Sequence, residues 1–450
     1  MSAPTFPLFV LLADSLEQQI RDGVYRSGDK LPSLREIAAS RGYGKNTVVS
    51  AFELLVARGL VEPRRGAGFF VKETVHHASQ AGESAGSPSR RRAMDIVWLM
   101  RMQLRNESGQ LAVGDAFPPS EWLAGARLDR THHKVARGGL GALFRYGDRL
   151  GYAPLRHRLV RRLADVGIDA RPQQIVLTHG ANQAMDLIVR YFVPPGGVVL
   201  IDDPGYYPLL GKLHLAGARI VGVPRLADGP DLQALQHSLE TLRPRLFFTQ
   251  SLAHNPTGSD LSLSKARAVL RLAEQHNLLL VENDALSDFR PATAPRLSAL
   301  DGLERTLYLG SFSKSLSAAL RVGFVACSPD LAQELADLKI LTTVSSSEYA
   351  ERAVETVLAE RRHAKHLEQL RGRLAEATHG AYALLDRMGA EVFVRPEHSL
   401  FIWVRWPGFA DAQALAQSML DMDIVMAPGN IFSVDRERIS PWSRCNPHAV

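Results

Sequence analysis

The chain has 450 residues, 46% of them hydrophobic and 22% charged, with a formal net charge of +6. That balance belongs to an ordinary globular protein of roughly two to three domains and excludes a disordered or fibrous chain; the mild positive charge permits nucleic-acid binding without arguing for it. Two cysteines, Cys327 and Cys445, lie far apart in the sequence, which excludes a disulfide framework and a thiolate metal site and points to a reducing compartment, the cytoplasm. No metal is expected. No apolar run approaches the ~20 residues of a membrane span. The apolar start Phe6-Pro7-Leu8-Phe9-Val10-Leu11-Leu12 has no basic flank and soon meets Asp14, so neither membrane insertion nor a secretion signal is expected.

Residues 1–72 form the first unit. Leu12, Leu16, Ile20 and Val24 recur at four-residue steps and predict a helix from Leu8 to Gly23. Ser33 and Glu36 make a capping-box pattern behind Pro32, which starts a short helix that ends near Arg41-Gly42-Tyr43-Gly44. A third helix runs from Lys45 to Arg58, with Val48, Phe52, Leu55 and Val56 inward and Lys45, Asn46, Thr47 and Ser50 exposed at its start. Two helices joined by a short glycine-containing turn are a helix-turn-helix, whose second helix enters a major groove by its N-terminal residues. Leu60-Val61-Glu62 and Phe69-Phe70-Val71 flank Pro63-Arg64-Arg65-Gly66-Ala67-Gly68, a hairpin with a basic tip suited to phosphate or minor-groove contact. The same helices would also serve a protein-interaction module; the arginine tip beside the exposed helix start favours double-stranded DNA. In the stretches Leu31-Pro32-Ser33-Leu34-Arg35, Thr47-Val48, Ala51-Phe52, Leu54-Leu55 and Gly59-Leu60 this unit resembles the GntR-type winged helix. The resemblance implies DNA contacts from Arg35, Lys45, Asn46, Thr47, Arg64 and Arg65.

Residues 73–93 carry Ser, Ala, Gly and His without apolar period and end in Arg90-Arg91-Arg92, which predicts a flexible linker. From residue 94 to 450, strand patterns alternate with helical ones, the mark of a mostly parallel sheet wrapped by helices. Buried-strand runs are read at 174–178, 198–201, 245–249, 278–281 and 305–309, with two further strands at 392–394 and 400–404 in a smaller C-terminal portion. Gly180, Ala181 and Asn182 open a helix directly after the first of these strands, and backbone N–H groups at such a start seat a phosphate.

The chemistry centres on Lys314, in Leu309-Gly310-Ser311-Phe312-Ser313-Lys314-Ser315, with Arg321 seven positions on. A lysine held in an apolar wall loses proton affinity, and its free amine attacks a carbonyl. Ser311, Ser313 and Arg321 are the groups that would hold a phosphate. A phosphate-bearing aldehyde describes pyridoxal 5'-phosphate. A surface lysine in a serine-rich loop is the plainer reading of the stretch alone, and the rest of the chain decides between them.

This stretch is similar to the Schiff-base segment of fold-type I aminotransferases, and the order of the other motifs agrees. Tyr146-Gly147, Gly151-Tyr152 and Leu155-Arg156 resemble that family's substrate-side loop and following helix. The resemblance implies a ring-stacking aromatic at Tyr206, with Tyr207 the alternative one residue on. In His254-Asn255-Pro256-Thr257-Gly258 it implies that the Asn255 amide donates to the cofactor's phenolate oxygen. A carboxylate beside the ring nitrogen keeps it protonated, and here the chain departs from the family's Glu-Asp-Asp-Tyr. It has Glu282-Asn283-Asp284-Ala285-Leu286, which leaves Asp284 the expected partner and Asn283 the alternative. Met426-Ala427-Pro428-Gly429 and Phe432 resemble the family's late proline-glycine loop. Arg444, in Ser443-Arg444-Cys445-Asn446, falls where the family binds a substrate carboxylate, and relatives continue past this point into a last helix.

With the winged helix in front, the whole chain resembles the MocR-type branch of GntR regulators. That resemblance implies a multidomain chain: an N-terminal α/β winged helix-turn-helix, then an α/β pyridoxal phosphate-dependent transferase fold (fold type I) with a small C-terminal subdomain. It implies a homodimer that binds an operator and senses an amino compound, or the cofactor itself. The competing expectation is a working aminotransferase fused to a winged helix: the Asn255 motif favours it, and the missing tyrosine and Asn283 count against it.

Overall fold

The computed structural model describes residues 8–21, 24–72, 96, 100, 111–137, 144–360 and 362–449; the expected linker, with Arg90, Arg91 and Arg92, lies outside them. The first module contains α1 (Leu8–Arg21), α2 (Leu34–Arg41), α3 (Lys45–Ala57) and a hairpin of β1 (Val61–Arg64) and β2 (Gly68–Val71). α2 begins where the sequence places it. Ser33 Oγ accepts from Glu36 N–H at 3.2 Å, and the Glu36 carboxylate accepts from Ser33 N–H at 2.7 Å. It ends at Gly42, whose φ of 67° is a left-handed conformation that glycine adopts without a Cβ penalty. Phe9, Leu12, Leu16, Val48, Phe52 and Leu55 make the core. Phe52 meets Phe69 edge-on at 4.8 Å, which ties the wing to α3. The helical period predicted for α1 overruns at one point: Val24, given an inward place by the period, is exposed.

The second module is built on β3 (Ile175–Thr178), α4 (Gly180–Phe192), β4 (Val198–Asp203), α5 (Tyr207–Leu215), β5 (Arg219–Leu226), β6 (Gly229–Pro230), β7 (Leu246–Thr249), β8 (Leu279–Asn283), β9 (Thr306–Ser311) and β10 (Gly323–Ala326). These strands form one sheet in the order β3-β10-β9-β8-β7-β4-β5-β6. The strands from β9 through β8, β7 and β4 to β5 are parallel, while β10 runs antiparallel to both neighbours. Helices cover both faces, so β3 and β7 are buried at every residue and read as continuous apolar runs. One face packs Val199, Ile201, Phe248, Val281 and Leu309 against α4 and α5. The other packs Leu177, Tyr308 and Phe324 against the helix Ala153–Ala164, and Leu200, Phe247 and Leu280 against Leu263–Gln275.

The C-terminal subdomain carries an antiparallel sheet, β11 (Glu391–Val392), β12 (Ile402–Arg405), β13 (Ala427–Pro428) and β14 (Trp442–Cys445), in the order β11-β12-β14-β13, and the helix α6 (Ala412–Leu420). A segment from the far end of the module joins it. Leu111 N–H donates to the Asp423 carbonyl at 2.9 Å, and Gly114 N–H donates to the Val425 carbonyl at 2.8 Å. A Cβ at Gly114 would lie 2.5 Å from Ala427 N, so only glycine allows this approach.

Candidate functional site

The strand-to-helix turn after β3 and the turn after β9 lie side by side because β10 joins β3 to β9. Their contact is between Gly180 and Arg321. Gly180 has φ of 71°, and a Cβ there would meet Arg321 Nη2 at 2.7 Å. Arg321 itself takes φ of 52°. Its Nη2 donates to the His179 carbonyl at 3.2 Å and its Nη1 to Ser313 Oγ at 3.3 Å. Ser311 Oγ accepts from Ser313 N–H at 3.2 Å. Gly180 and Ala181 are buried at the start of α4, with Asn182 half-buried beside them. A helix N-terminus, a guanidinium and a hydroxyl converging in this way suit a phosphate.

Lys314 lies within the fields of both Arg321 and Arg444. Its Nζ is 3.0 Å from the centroid of the Phe117 ring. Burial lowers the amine to about 7; Asp115 opposes that shift, while the Arg444 and Arg321 charges reinforce it. A second lysine shows the contrast. Burial also lowers Lys339, to about 8, but its Nζ donates to the Leu177 carbonyl at 2.8 Å and to Ser346 Oγ at 3.4 Å. Lys339 fastens the helix Pro329–Thr343 to β3, and its amine is spent on that.

Arg444, on β14, is fully buried, and its guanidinium lies between the rings of Phe401 and Phe432, 4.8 and 5.0 Å from their centroids. Nη1 donates to Asn255 Oδ1 at 3.0 Å and Nη2 to the Gly114 carbonyl at 2.6 Å. Among the described residues, Nε has no hydrogen-bond partner. The Asn255 amide is turned by this contact so that its oxygen faces Arg444. Tyr207 is a core residue, edge-on to Phe432 at 5.5 Å. Tyr206, half-buried at the start of α5, feels the charges of Arg321 and Arg444, although burial dominates and raises its phenol. Of the two, Tyr206 is the half-buried ring and Tyr207 the buried one.

The expectation for Asp284 does not hold in this structure. Side chains alternate along β8, so Val281 and Asn283 share the α4 face, while Leu280, Glu282 and Asp284 share the other. The Asp284 carboxylate accepts from Arg296 Nε at 2.7 Å and from Tyr308 OH at 2.8 Å. Burial raises it to about 6, with Arg296 opposing. Asn283 therefore lies on the α4 face, and Asp284 belongs to a buried ion pair on the other.

Sequence reading also missed Asp115 and Phe117. They stand on the segment that Gly114 docks against Ala427, and Asn446 holds it further: its N–H donates to the Val113 carbonyl at 2.7 Å and its Nδ2 to the Phe117 carbonyl at 2.9 Å. The available signal was the turn chemistry of Gly114 and Pro118-Pro119, which marks a shaped loop and not a strand.

In the first module, Lys45, Arg64 and Arg65 are exposed as expected, and so is Arg35. Arg64 lies over the Phe70 ring at 4.4 Å and pairs with Glu62 at 2.9 Å. The start of α3 departs from the expectation. Thr47 and Ser50 are buried and Asn46 is half-buried, and the C-terminal subdomain meets the helix at Asn46 and Thr47. Gln417 Nε2 donates to Thr47 Oγ1 at 2.8 Å, and Asn46 Nδ2 donates to the Leu420 carbonyl at 3.0 Å.

Lys314, Gly180, Ser313 and Arg321 together fit pyridoxal 5'-phosphate. The fold and the site thus define an aminotransferase-type cofactor domain behind a winged helix. Comparison with known proteins agrees in both halves. Residues 11–71 match the bacterial regulatory proteins of the gntR family, and residues 109–449 match aminotransferase class I and II. The chain is 31% identical to the HTH-type transcriptional regulator YdcR of Escherichia coli, over 96% of this chain and 92% of that one. It is 29% identical to the probable rhizopine catabolism regulatory protein MocR of Rhizobium meliloti, over 85% and 78% of the two chains. A solved structure, the α-aminoadipate aminotransferase LysN of Thermus thermophilus complexed with N-(5'-phosphopyridoxyl)-L-leucine, matches with a TM-score of 0.71 at 27% identity, covering 78% of this chain and 89% of that one. This chain belongs to the MocR-type GntR regulators, in which a DNA-binding GntR module is fused to an aminotransferase class I and II domain. Among the described residues no helix is long and apolar enough to cross a membrane.

Proposed function

We propose that this regulator holds pyridoxal 5'-phosphate on Lys314, reads an amino acid or related amine at the same place, and passes the result to the winged helix. The observation that carries the reading is a buried lysine, Lys314, under the Phe117 ring and within the fields of both Arg321, which joins Gly180 and Ser313, and Arg444, whose Nε has no partner among the described residues. Pyridoxal 5'-phosphate supplies an aldehyde that condenses with amines and a ring that draws electrons from the new linkage. The chain's residues do the rest. Burial lowers the Lys314 amine to about 7, so near neutral pH a large share of it is unprotonated and nucleophilic without a separate base. Arg321 and the start of α4 neutralise the phosphate. Asn255 and the Gly114 carbonyl hold the Arg444 fork in plane, leaving Nε for a carboxylate. Asn283 offers an amide where the enzymes carry an acid, and a neutral amide does not hold a proton on the ring nitrogen. That favours binding over turnover.

The reading includes a homodimer acting in the cytoplasm. Phe144, Tyr146 and Leu341 expose more than four-fifths of their surface. Gly147 lies against Ser346 and Glu348, which brings Tyr146 near the end of Pro329–Thr343, where Leu341 and Val344 are also exposed. An apolar patch of this kind is what a second copy would cover.

A working aminotransferase is the second reading, supported by the intact Lys314, Asn255 and Arg444 set. Turnover of an amino donor with a keto acid separates the two. The regulator reading expects amines to change DNA affinity while turnover stays negligible. Arg444→Lys should keep the cofactor and lose at least tenfold in response to carboxylate-bearing amines. Fast turnover with unchanged DNA affinity would overturn the regulator reading.

A further inference from the structure

The exposed start of α3 is what a winged helix offers to DNA, yet here it is occupied. Three groups of the C-terminal subdomain occupy it: the Gln417 amide on Thr47, the Leu420 carbonyl on Asn46, and the Asp421 carboxylate, which fills the space that a Cβ at Gly44 would take. Gly44 is the N-cap of α3 and provides no side-chain cap of its own. A carboxylate there meets the positive end of the helix, the same end that a DNA phosphate approaches. The module cannot present Asn46 and Thr47 to a groove while these contacts stand.

The backbone that makes this contact continues to the cofactor site. Leu420 and Asp421 lead directly into 423–425, and that stretch is paired with Leu111 and Gly114. The Gly114 carbonyl accepts from Arg444, and Phe117, three residues on, covers Lys314. One short segment therefore touches the site at one end and the DNA-reading helix at the other.

We infer that the surface formed by Gln417, the Leu420 carbonyl and Asp421 is a docking site for the start of α3 within the same chain, that it competes with DNA, and that occupation of Arg444 loosens it through the 111–117 segment. The trigger rests on the sensing reading above; the contact itself does not.

The test uses full-length protein carrying Gly44→Cys and Asp421→Cys. The native Cys327 and Cys445 are both buried, so background oxidation is low. Diamide should close an intrachain disulfide between the new cysteines. The oxidised protein should bind a random-sequence 30-base-pair duplex at least tenfold more weakly than the same protein after reduction. Gln417→Ala, with no cysteine added, should bind that duplex roughly 2- to 10-fold more tightly than wild type, the worth of one hydrogen bond. Absence of the disulfide, a disulfide that forms only between two copies, or equal DNA affinity of the oxidised and reduced forms would each overturn the proposal. The visible band of the same samples, followed with added amino acids, reads the trigger separately. A band that never responds sinks the sensing reading and leaves the docking site to stand or fall on the disulfide and the DNA.

Discussion

Lys314 and Asn283 carry most of the chemical meaning of the site. A lysine whose folded-state pKa is about 7, against an ordinary 10.5, binds fewer protons folded than unfolded between those values. Stability therefore rises with pH across that window. In cofactor-free protein, the deficit of wild type relative to Lys314→Met should be full below pH 7, shrink as pH rises, and vanish above about 10.5. Paired urea denaturation curves check this, and a deficit that does not change with pH would contradict the burial of the amine. The β8 alternation makes a second claim at this scale. Asp284→Asn leaves Arg296 buried without its charge partner and should cost about 3–5 kcal/mol of stability while the cofactor's visible band stays in place. Asn283→Asp should do the reverse, moving the band and raising turnover at little cost to the fold. The opposite pairing of effects would return the ring-nitrogen position to Asp284.

At the scale of elements, the sequence made the strands legible because burial on both faces of a parallel sheet leaves unbroken apolar runs such as Leu246–Thr249. It made α2 legible because Ser33 and Glu36 satisfy backbone groups that a helix start leaves open. Other elements gave no such signal. β10, antiparallel between β3 and β9, is four residues long, follows the Arg321 turn directly, and has no turn signal of its own before it. Arg444 was legible as a late arginine; its strand, β14, was not, since Trp442-Ser443-Arg444-Cys445 has neither alternation nor a β-branched residue. The choice between Asn283 and Asp284 turned on one residue of register, which periodicity in a single strand does not set until the partner strands are known. Phe117 and Asp115 escaped because their place depends on Gly114 reaching β13, over three hundred residues away in the chain.

At the scale of the molecule, the two modules meet where each does its work. The subdomain that carries Arg444 also carries the residues that cover the start of α3. A ligand changes DNA affinity only to the extent that it prefers one arrangement over the other, and the 111–117 segment gives that preference a physical route. In the proposed homodimer, a second copy would cover the exposed apolar patch around Tyr146, and two winged helices in one assembly would suit paired half-sites. The sensing reading depends on the cofactor being held at Lys314. The most direct test is the visible absorbance spectrum of purified protein beside Lys314→Ala, with and without added pyridoxal 5'-phosphate and a panel of amino acids. The account predicts a band in wild type that is missing from the variant and shifts with at least one amine. Wild-type protein with no band after the cofactor is added would contradict it.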